Sequence, residues 1–204
     1  MRQNIPLGGG KSVPLDVEPS GWQYKTGSFF APVIGEGVTT GAGAGSLVVH
    51  LTQGPYAPKK GASQLWRLMF AGVQVSVGTV SPTPIDFTIS AEFFPSNAIG
   101  QIYRCKSGGA TLSSSGRRFA KTQEAGAPTG LSGFCLIGSF GGQFGVARTW
   151  NVLFLGSKFA VKSWTPDSFA HFPYVTFVES TSVSLAAGVP VTVTYGVVSP
   201  PFKA

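Results

Sequence analysis

Strict alternation of apolar and polar residues between Asp86 and Phe93 constrains the fold more than any other feature of the sequence. Every odd-numbered residue in this stretch is apolar, and every even-numbered residue is polar. Because successive side chains of a β-strand point to opposite faces, the pattern predicts a strand with one face in a core and the other in solvent. Half-buried strands of this kind are typical of antiparallel sheets.

The same period of two recurs along most of the chain, and no segment has the period of an amphipathic helix. Turns rich in glycine and proline separate the strands, with a kink at Gly72, a hairpin turn at Gly156 and Ser157, and one helical turn at 165–168. Strands are predicted at residues 46–51, 64–71, 73–80, 86–93, 99–105, 133–137, 148–155, 158–164, 174–185 and 189–198. This pattern predicts an all-β fold, an antiparallel β-sandwich that is jelly-roll-like.

Residues 1–21 are predicted to form an extended N-terminal arm. Pro6, Pro14 and Pro19 lack a backbone donor, and Gly8–Gly10 is conformationally free, so neither a helix nor a central strand is expected here. Such an arm is either disordered or held by a neighbouring chain. Residues 22–198 form the predicted sandwich domain, and residues 199–204 form a C-terminal tail.

The composition favours a protein whose surface is covered by partners, although a glycine-rich β-fold with long loops fits it as well. Only 11% of the residues are charged, against about 25% in typical soluble domains. The net charge of +7 comes from scattered basic residues, so the sequence disfavours a nucleic-acid binder. The chain has no apolar stretch of membrane-spanning length and no secretory signal at its start. We therefore expect no membrane association and synthesis in a cytoplasm.

The chemistry-bearing residues are too few and too scattered to predict an enzyme. No serine lies in a Gly-x-Ser-x-Gly motif, and neither a cofactor nor a metal site is expected from eight dispersed carboxylates and two histidines. His50 is predicted to face outward from its strand, and His171 to pack against aromatic neighbours. A hydrolase with a carboxylate pair assembled from distant strands stays open as an alternative.

Cys105 and Cys135 have the spacing of neither a zinc site nor a redox motif. Two buried thiols in a reducing compartment are the expected state. A disulfide is the alternative, and it would require the two Cα atoms to lie close together.

A long, basic, loop-like stretch at 106–131 provides the candidate binding residues. A loop of this length inside a compact domain is typically functional or mobile. Guanidinium and ammonium groups there could meet a phosphate, a carboxylate-bearing glycan or an acidic neighbour, although a solvated loop is the plainer interpretation. The candidates for binding an anionic partner are Arg104, Lys106, Arg117, Arg118 and Lys121.

Two pairs of adjacent phenylalanines, Phe29-Phe30 and Phe93-Phe94, are candidate interface residues. Adjacent strand residues point to opposite faces, so one ring of each pair must leave the core of its own sheet. That ring packs on an arm or a loop of the same chain, or on another subunit.

The layout as a whole resembles viral and bacteriophage structural proteins of the jelly-roll capsid, spike, decoration or tail-appendage type. The points of likeness are the arm at 1–21, the β-rich body at 22–198 and the low charge. The resemblance implies a non-enzymatic virion subunit that contacts its own copies and other virion proteins through its arm and exposed faces. The alternative is a carbohydrate- or receptor-binding β-module, such as a spike or fibre tip, with Trp22, Tyr24, Tyr56 and Trp164 as candidate sugar contacts.

Overall fold

The computed structural model describes residues 1–8, 11–32, 36–52, 65–79, 84–90, 100–106, 128–140, 145–184 and 191–204. In these ranges the chain is almost entirely β-structure, which confirms the predicted all-β class. The helical parts are a short 3-10 helix at Pro128–Leu131 and α1 at Pro166–Phe169. The strands are β1 Arg2–Gly8, β2 Lys11–Pro32, β3 Glu36–Leu51, β4 Leu65–Thr79, β5 Pro84–Ser90, β6 Gln101–Cys105, β7 Gly133–Phe140, β8 Gly145–Ser157, β9 Tyr174–Ser184, β10 Val191–Val198 and β11 Phe202–Lys203.

Eight of these strands pair in a closed ring. The order is β2, β3, β4, β10, β7, β8, β9 and β6, and β6 pairs again with β2. Every pairing is antiparallel. The pairing is therefore one continuous circuit of eight strands, and the predicted sandwich stays a prediction.

The ring contains two Greek-key units in sequence. Strands β2, β3 and β4 are neighbours, and the next strands, β5 and β6, return to pair with β2. Strands β7, β8 and β9 repeat the arrangement, because the next strand, β10, returns to pair with β7. Three consecutive strands followed by a fourth beside the first define this motif.

A hydrophobic core fills the inside of the ring. Strand β3 contributes Leu47, Val49 and Leu51, and strand β4 contributes Leu68 and Phe70, all of them buried. Side chains of every other ring strand join the same cluster, among them Trp22, Ile102, Ile137, Leu153, Tyr174 and Val198. Burial of each large apolar side chain is worth about 1.5–3 kcal/mol, so this core supplies a large part of the drive to fold.

A second core lies on the outside of one half of the ring. In β8, Leu153 belongs to the inner cluster and Phe154 to the outer one, and β7 alternates in the same way at Cys135 and Leu136. The ring of Phe154 stacks on that of Phe169 in α1, with centroids 4.7 Å apart. The β1–β2 hairpin and the segment 158–173 cover this outer face, so the strands beneath are buried on both sides.

Helix α1 begins at a cap that the sequence encodes. The hydroxyl of Thr165 accepts a hydrogen bond from the backbone amide of Ser168, and Pro166 occupies the first turn. This confirms the predicted helical turn. The strand predicted at 158–164 is wrong, because this segment runs across the outer core as irregular chain and places Val161 and Trp164 against it.

The structure does not confirm the extended N-terminal arm. Strand β1 pairs with the first part of β2 from Arg2 and Asp16 to Gly8 and Lys11, and β2 then pairs with β6. The side chains of Ile5, Leu15 and Val17 are buried in the outer core. Pro6 is compatible with this hairpin because β1 pairs on one side only, and an edge strand tolerates a missing donor. The C-terminal tail is likewise folded, since β11 pairs with β4.

Strand β2 turns a corner at Ser20 and Gly21 on its way from the hairpin into the ring. Gly21 has φ 82°, a left-handed conformation that favours glycine. The hydroxyl of Ser20 donates to the carbonyl of Ile102 over 2.5 Å, and the amide of Thr52 donates to the carbonyl of Gly21 over 2.8 Å. These bonds join the corner to β6 on one side and to the end of β3 on the other.

A row of glycines crosses three neighbouring strands. Gly43 of β3 pairs with Gly72 of β4, and Gly72 pairs with Gly196 of β10. The backbones approach so closely that a Cβ atom on Gly72 would lie 2.5 Å from the carbonyl oxygen of Tyr195. The predicted kink at Gly72 is therefore a close contact within one continuous strand, Leu65–Thr79.

We expect Gly196→Ala to lower the free energy of unfolding by more than about 2 kcal/mol, because the new Cβ would overlap the carbonyl oxygen of Ala71. Gly130→Ala is the matched control, since a Cβ there would lie 3.5 Å from the hydroxyl of Tyr174, an ordinary contact. Urea unfolding of both variants measures the difference. Equal stabilities would show that the glycine row is not sterically required.

Candidate functional site

The described residues give no assembled catalytic or metal centre. No three side chains among His, Cys, Asp and Glu in the described ranges come together as metal ligands. The expectation that the chain is not an enzyme stays a prediction.

The structure places two residues of the predicted anion-binding set. Arg104 lies on β6, and its guanidinium is 3.7 Å from the carboxylate of Glu18 on β2. Lys106 follows the strand as an exposed residue, and its amide donates to the carbonyl of Asp16. Arg117, Arg118 and Lys121 lie outside the described residues. The predicted site stays a prediction, and Arg104 already has an acidic partner within its own chain.

The predicted interface phenylalanines are placed only in part. Phe29 and Phe30 lie on β2, where they pair with Gly45 and Ala44 of β3. The side chains of this pair, and both residues of the pair Phe93 and Phe94, lie outside the described part of the structure. Their role as interface residues stays a prediction.

The outside of β3 and β4, together with the Val197 end of β10, is an exposed apolar surface, whereas Val193 and Tyr195 of β10 pack against the outer core. On β4, Leu68 and Phe70 point inward, so the odd-numbered residues point outward. Val73 is consequently 46% exposed and Met69 44%, and on the neighbouring strand Val197 is 51% exposed. We define the open face by the exposed residues Ala42, Ala44, Met69, Ala71, Val73 and Val197.

Strand register makes these residues one surface. Ala44 pairs with Ala71, and Ala71 pairs with Val197. Ala42 pairs with Val73 one row further along. Paired residues of an antiparallel sheet share a face, so the six side chains form a contiguous patch without a charged group among them.

A group of cationic side chains lies at one end of the open face. Val48 pairs with Arg67, and Arg67 pairs with Phe202, so these three residues point outward side by side. His50 lies two residues beyond Val48 on the same face, and Lys25 is an extra residue in β2 where the register against β3 shifts. We define the cationic row as Lys25, His50 and Arg67, which belong to three neighbouring strands. Sequence analysis did not find this group, because only the strand register brings it together.

The environment of His50 favours the neutral imidazole. Burial lowers the pKa of His50 below its ordinary value of 6.5, and the nearby charge of Lys25 lowers it further, while a hydrogen bond to the backbone of Gln23 acts in the opposite direction. Its Nδ1 atom is buried without a hydrogen-bond partner among the described residues. The predicted outward orientation of His50 is confirmed by its place in β3 opposite the inward Val49 and Leu51.

We expect His50 to make stability depend on pH. Because the pKa of His50 is lower in the folded chain than in the unfolded one, the unfolded state binds more protons below about pH 6.5, and stability falls as pH falls. Urea unfolding of the wild type and of His50→Gln between about pH 7.5 and about pH 5.5 measures this. The wild type should lose more stability than the variant over this range. An identical slope would contradict the assignment.

Both cysteines are free and buried, which confirms the predicted thiols and excludes the disulfide alternative. Cys135 lies in the inner core and Cys105 in the outer one. Burial raises the pKa of each thiol to about 12. The thiolate is the reactive form, so neither cysteine is a nucleophile at neutral pH.

In the native protein we expect both thiols to resist a thiol-specific reagent such as 5,5′-dithiobis(2-nitrobenzoate) at neutral pH. Burial keeps them protonated and out of contact with the reagent. Absorbance of the released thiolate measures the reaction, and denaturant should release two equivalents per chain. Rapid labelling of either cysteine in the folded protein would contradict this expectation.

The candidate sugar-binding aromatics do not form an exposed group. Trp22 and Tyr24 are buried in the inner core. Trp164 is half-buried and packs edge-on against Phe154 and Phe169. Tyr56 lies outside the described residues. His171 has an aromatic neighbour as predicted, Phe159, whose ring centroid is 6.2 Å away.

A comparison with protein families, with characterised proteins and with solved structures found no match to this chain. In the described part of the chain, none of the helical segments has the length and apolar character needed to cross a membrane.

Proposed function

We propose that this chain is a non-enzymatic structural subunit of a virion, of the capsid, spike, decoration or tail type, and that it assembles with its own copies through the open face. The observation that carries the proposal is the uncovered apolar surface formed by Ala42, Ala44, Met69, Ala71, Val73 and Val197. Contiguous exposed apolar patches mark interaction sites in soluble proteins. The jelly-roll-like sandwich and the virion location stay predictions from the layout of the sequence.

The two halves of the ring differ in a way that supports assembly through this face. The hairpin β1–β2 and the segment 158–173 cover the outer apolar side chains of the β6–β9–β8–β7 half. The open face has apolar side chains at equivalent outward positions, but they are exposed. A second copy laid on the open face would bury these side chains, as the chain itself does on its other half.

Charge also favours this surface for contacts between copies. Each copy carries a net charge of +7, so two copies repel each other at long range. Contact between two copies is most favourable at a surface without charged side chains, because burying an unpaired charge costs free energy. The six residues of the open face include no charged side chain. The N-terminal segment is less suited to this contact, because its residues Ile5, Leu15 and Val17 are buried within their own chain.

We expect Val197→Glu to prevent self-association of the purified protein, because the variant would bury a carboxylate within the contact. Sedimentation velocity over a range of protein concentrations measures the distribution of mass. The wild type should form a defined oligomer, and the variant should remain monomeric.

Two control variants test whether the loss of assembly is specific to a charge on the open face. Val197→Thr keeps a β-branched, uncharged residue and should weaken assembly only slightly. Phe159→Glu places the same charge at another exposed apolar residue, 49% exposed and away from the open face, and should leave assembly unchanged. A monomeric wild type, or equal loss of assembly in both glutamate variants, would overturn the proposal.

A further inference from the structure

The cationic row spans three neighbouring strands, with Lys25 and Arg67 on either side of Val48 and His50 two residues further along β3. Lys25, His50 and Arg67 lie on β2, β3 and β4, and Phe202 of β11 lies next to Arg67 on the same outward face. Neighbouring strands are about 4.8 Å apart, so the row and Phe202 together extend over about 14 Å. A linear ligand lying across the strands would meet Lys25 and then Arg67, with His50 at one side of its path, and would reach Phe202 at the end.

Among the described residues, Lys25 and Arg67 lack acidic partners of the kind that Arg2 and Arg104 have. Arg2 pairs with Asp16 at 3.3 Å, and Arg104 pairs with Glu18 at 3.7 Å. In the described ranges no carboxylate forms an ion pair with Lys25 or Arg67, and both residues are exposed. Two exposed cations held near each other without a counter-charge form a site for an anionic ligand.

His50 lies beside the line from Lys25 to Arg67, two residues beyond Val48, and one of its ring nitrogens has no hydrogen bond in the described part of the chain. Its buried Nδ1 has no partner among the described residues. Lys25 from β2 is the charged group whose field lowers the pKa of His50, and Arg67 from β4 lies on the same outward face, across from Val48. An anion bound between these cations would reverse the local field and favour the imidazolium.

We propose that the cationic row binds an acidic polysaccharide, with its sulfate or carboxylate groups on Lys25, His50 and Arg67 and the apolar face of a sugar ring on Phe202. Guanidinium and ammonium groups pair with such anions, and an exposed phenyl ring, here 46% exposed, provides the apolar contact. Single-stranded nucleic acid requires several aromatic side chains on which bases stack, whereas Phe202 is the one aromatic ring that the described strand register places beside the row. This inference is independent of the proposed self-assembly.

The experiment measures binding by isothermal titration calorimetry with three probes. They are a heparin hexasaccharide, which carries sulfates and carboxylates, an oligogalacturonate hexamer, which carries carboxylates alone, and a hexamer of deoxythymidylate. We expect the heparin fragment, the galacturonate or both to bind, and the first two probes distinguish sulfate from carboxylate recognition. The double variant Lys25→Gln/Arg67→Gln should weaken binding at least about tenfold, because it removes both permanent charges of the row.

Matched variants test the location of the site. Lys106→Gln removes an exposed charge near the predicted basic loop, and Lys162→Gln removes one on the segment 158–173; each should change the affinity less than about twofold. Lowering the pH from about 7.5 to about 5.5 should tighten binding by the wild type and not by His50→Gln. Thermal unfolding midpoints like that of the wild type establish that the exposed-site variants are folded.

Three results would overturn the proposal. The first is the absence of binding to both oligosaccharides at millimolar concentration. The second is an equal loss of affinity in Lys106→Gln and in the double variant. The third is tighter binding of the deoxythymidylate hexamer than of either oligosaccharide, with the same sensitivity to Lys25→Gln/Arg67→Gln, which would make the row a nucleic-acid contact.

Discussion

The pairing of β2 with β6 is the contact on which the rest of the structure depends. It joins residues that are distant along the chain, such as Val17 and Cys105, and it closes the ring of strands. Closure pairs the backbone donors and acceptors that two free sheet edges would otherwise expose. It also creates an inside and an outside, so that each strand has one face committed to the inner core and one face available for other contacts. The corner at Gly21 makes this closure compatible with the pairing of the same strand to β3.

The two sides of the ring differ in whether their outer faces are covered by other parts of the chain. On the β6–β9–β8–β7 side, the chain covers its own apolar side chains with the hairpin β1–β2 and the segment 158–173. On the β3–β4–β10 side, small apolar residues such as Ala44 and Ala71 remain exposed together with Met69 and Val197. Apolar surface left in water weakens the free energy gained on folding, and a partner that covers it would recover that loss. This asymmetry is the physical basis of the proposed assembly.

The sequence predicts the strands well because their main signal is local. Alternation identified most of the ring strands, and Thr165 followed by Pro166 identified the start of α1. The same signal was present but misinterpreted near the N-terminus, where Val13, Leu15 and Val17 alternate with polar residues and proline. The prolines favour an irregular arm over a central strand, whereas Pro6 lies in the edge strand β1, which accepts a missing donor. Alternation also does not say which face of a strand points to the core. Val73 lies on the apolar face of its part of β4, and that face is the exposed one.

The candidate sites depend on information that no local pattern contains. Lys25, His50 and Arg67 are far apart in sequence and become neighbours only through the registers of β2 with β3 and of β3 with β4. A shift of one residue in either register would turn one of these side chains to the other face. Sequence analysis could therefore find the basic stretch at 106–131, which is contiguous, but not the cationic row, which is not.

The cationic row limits how two copies can meet at the open face. It lies at one end of that face, beyond Met69 in the direction of Arg67. If two copies stacked in parallel, their rows would lie against each other, and the like charges would repel. A two-fold axis near Ala71 would instead place the rows at opposite ends of the contact, where each remains open to solvent. An isologous, antiparallel contact is therefore the arrangement in which the apolar residues are buried while both rows stay accessible to an anionic ligand.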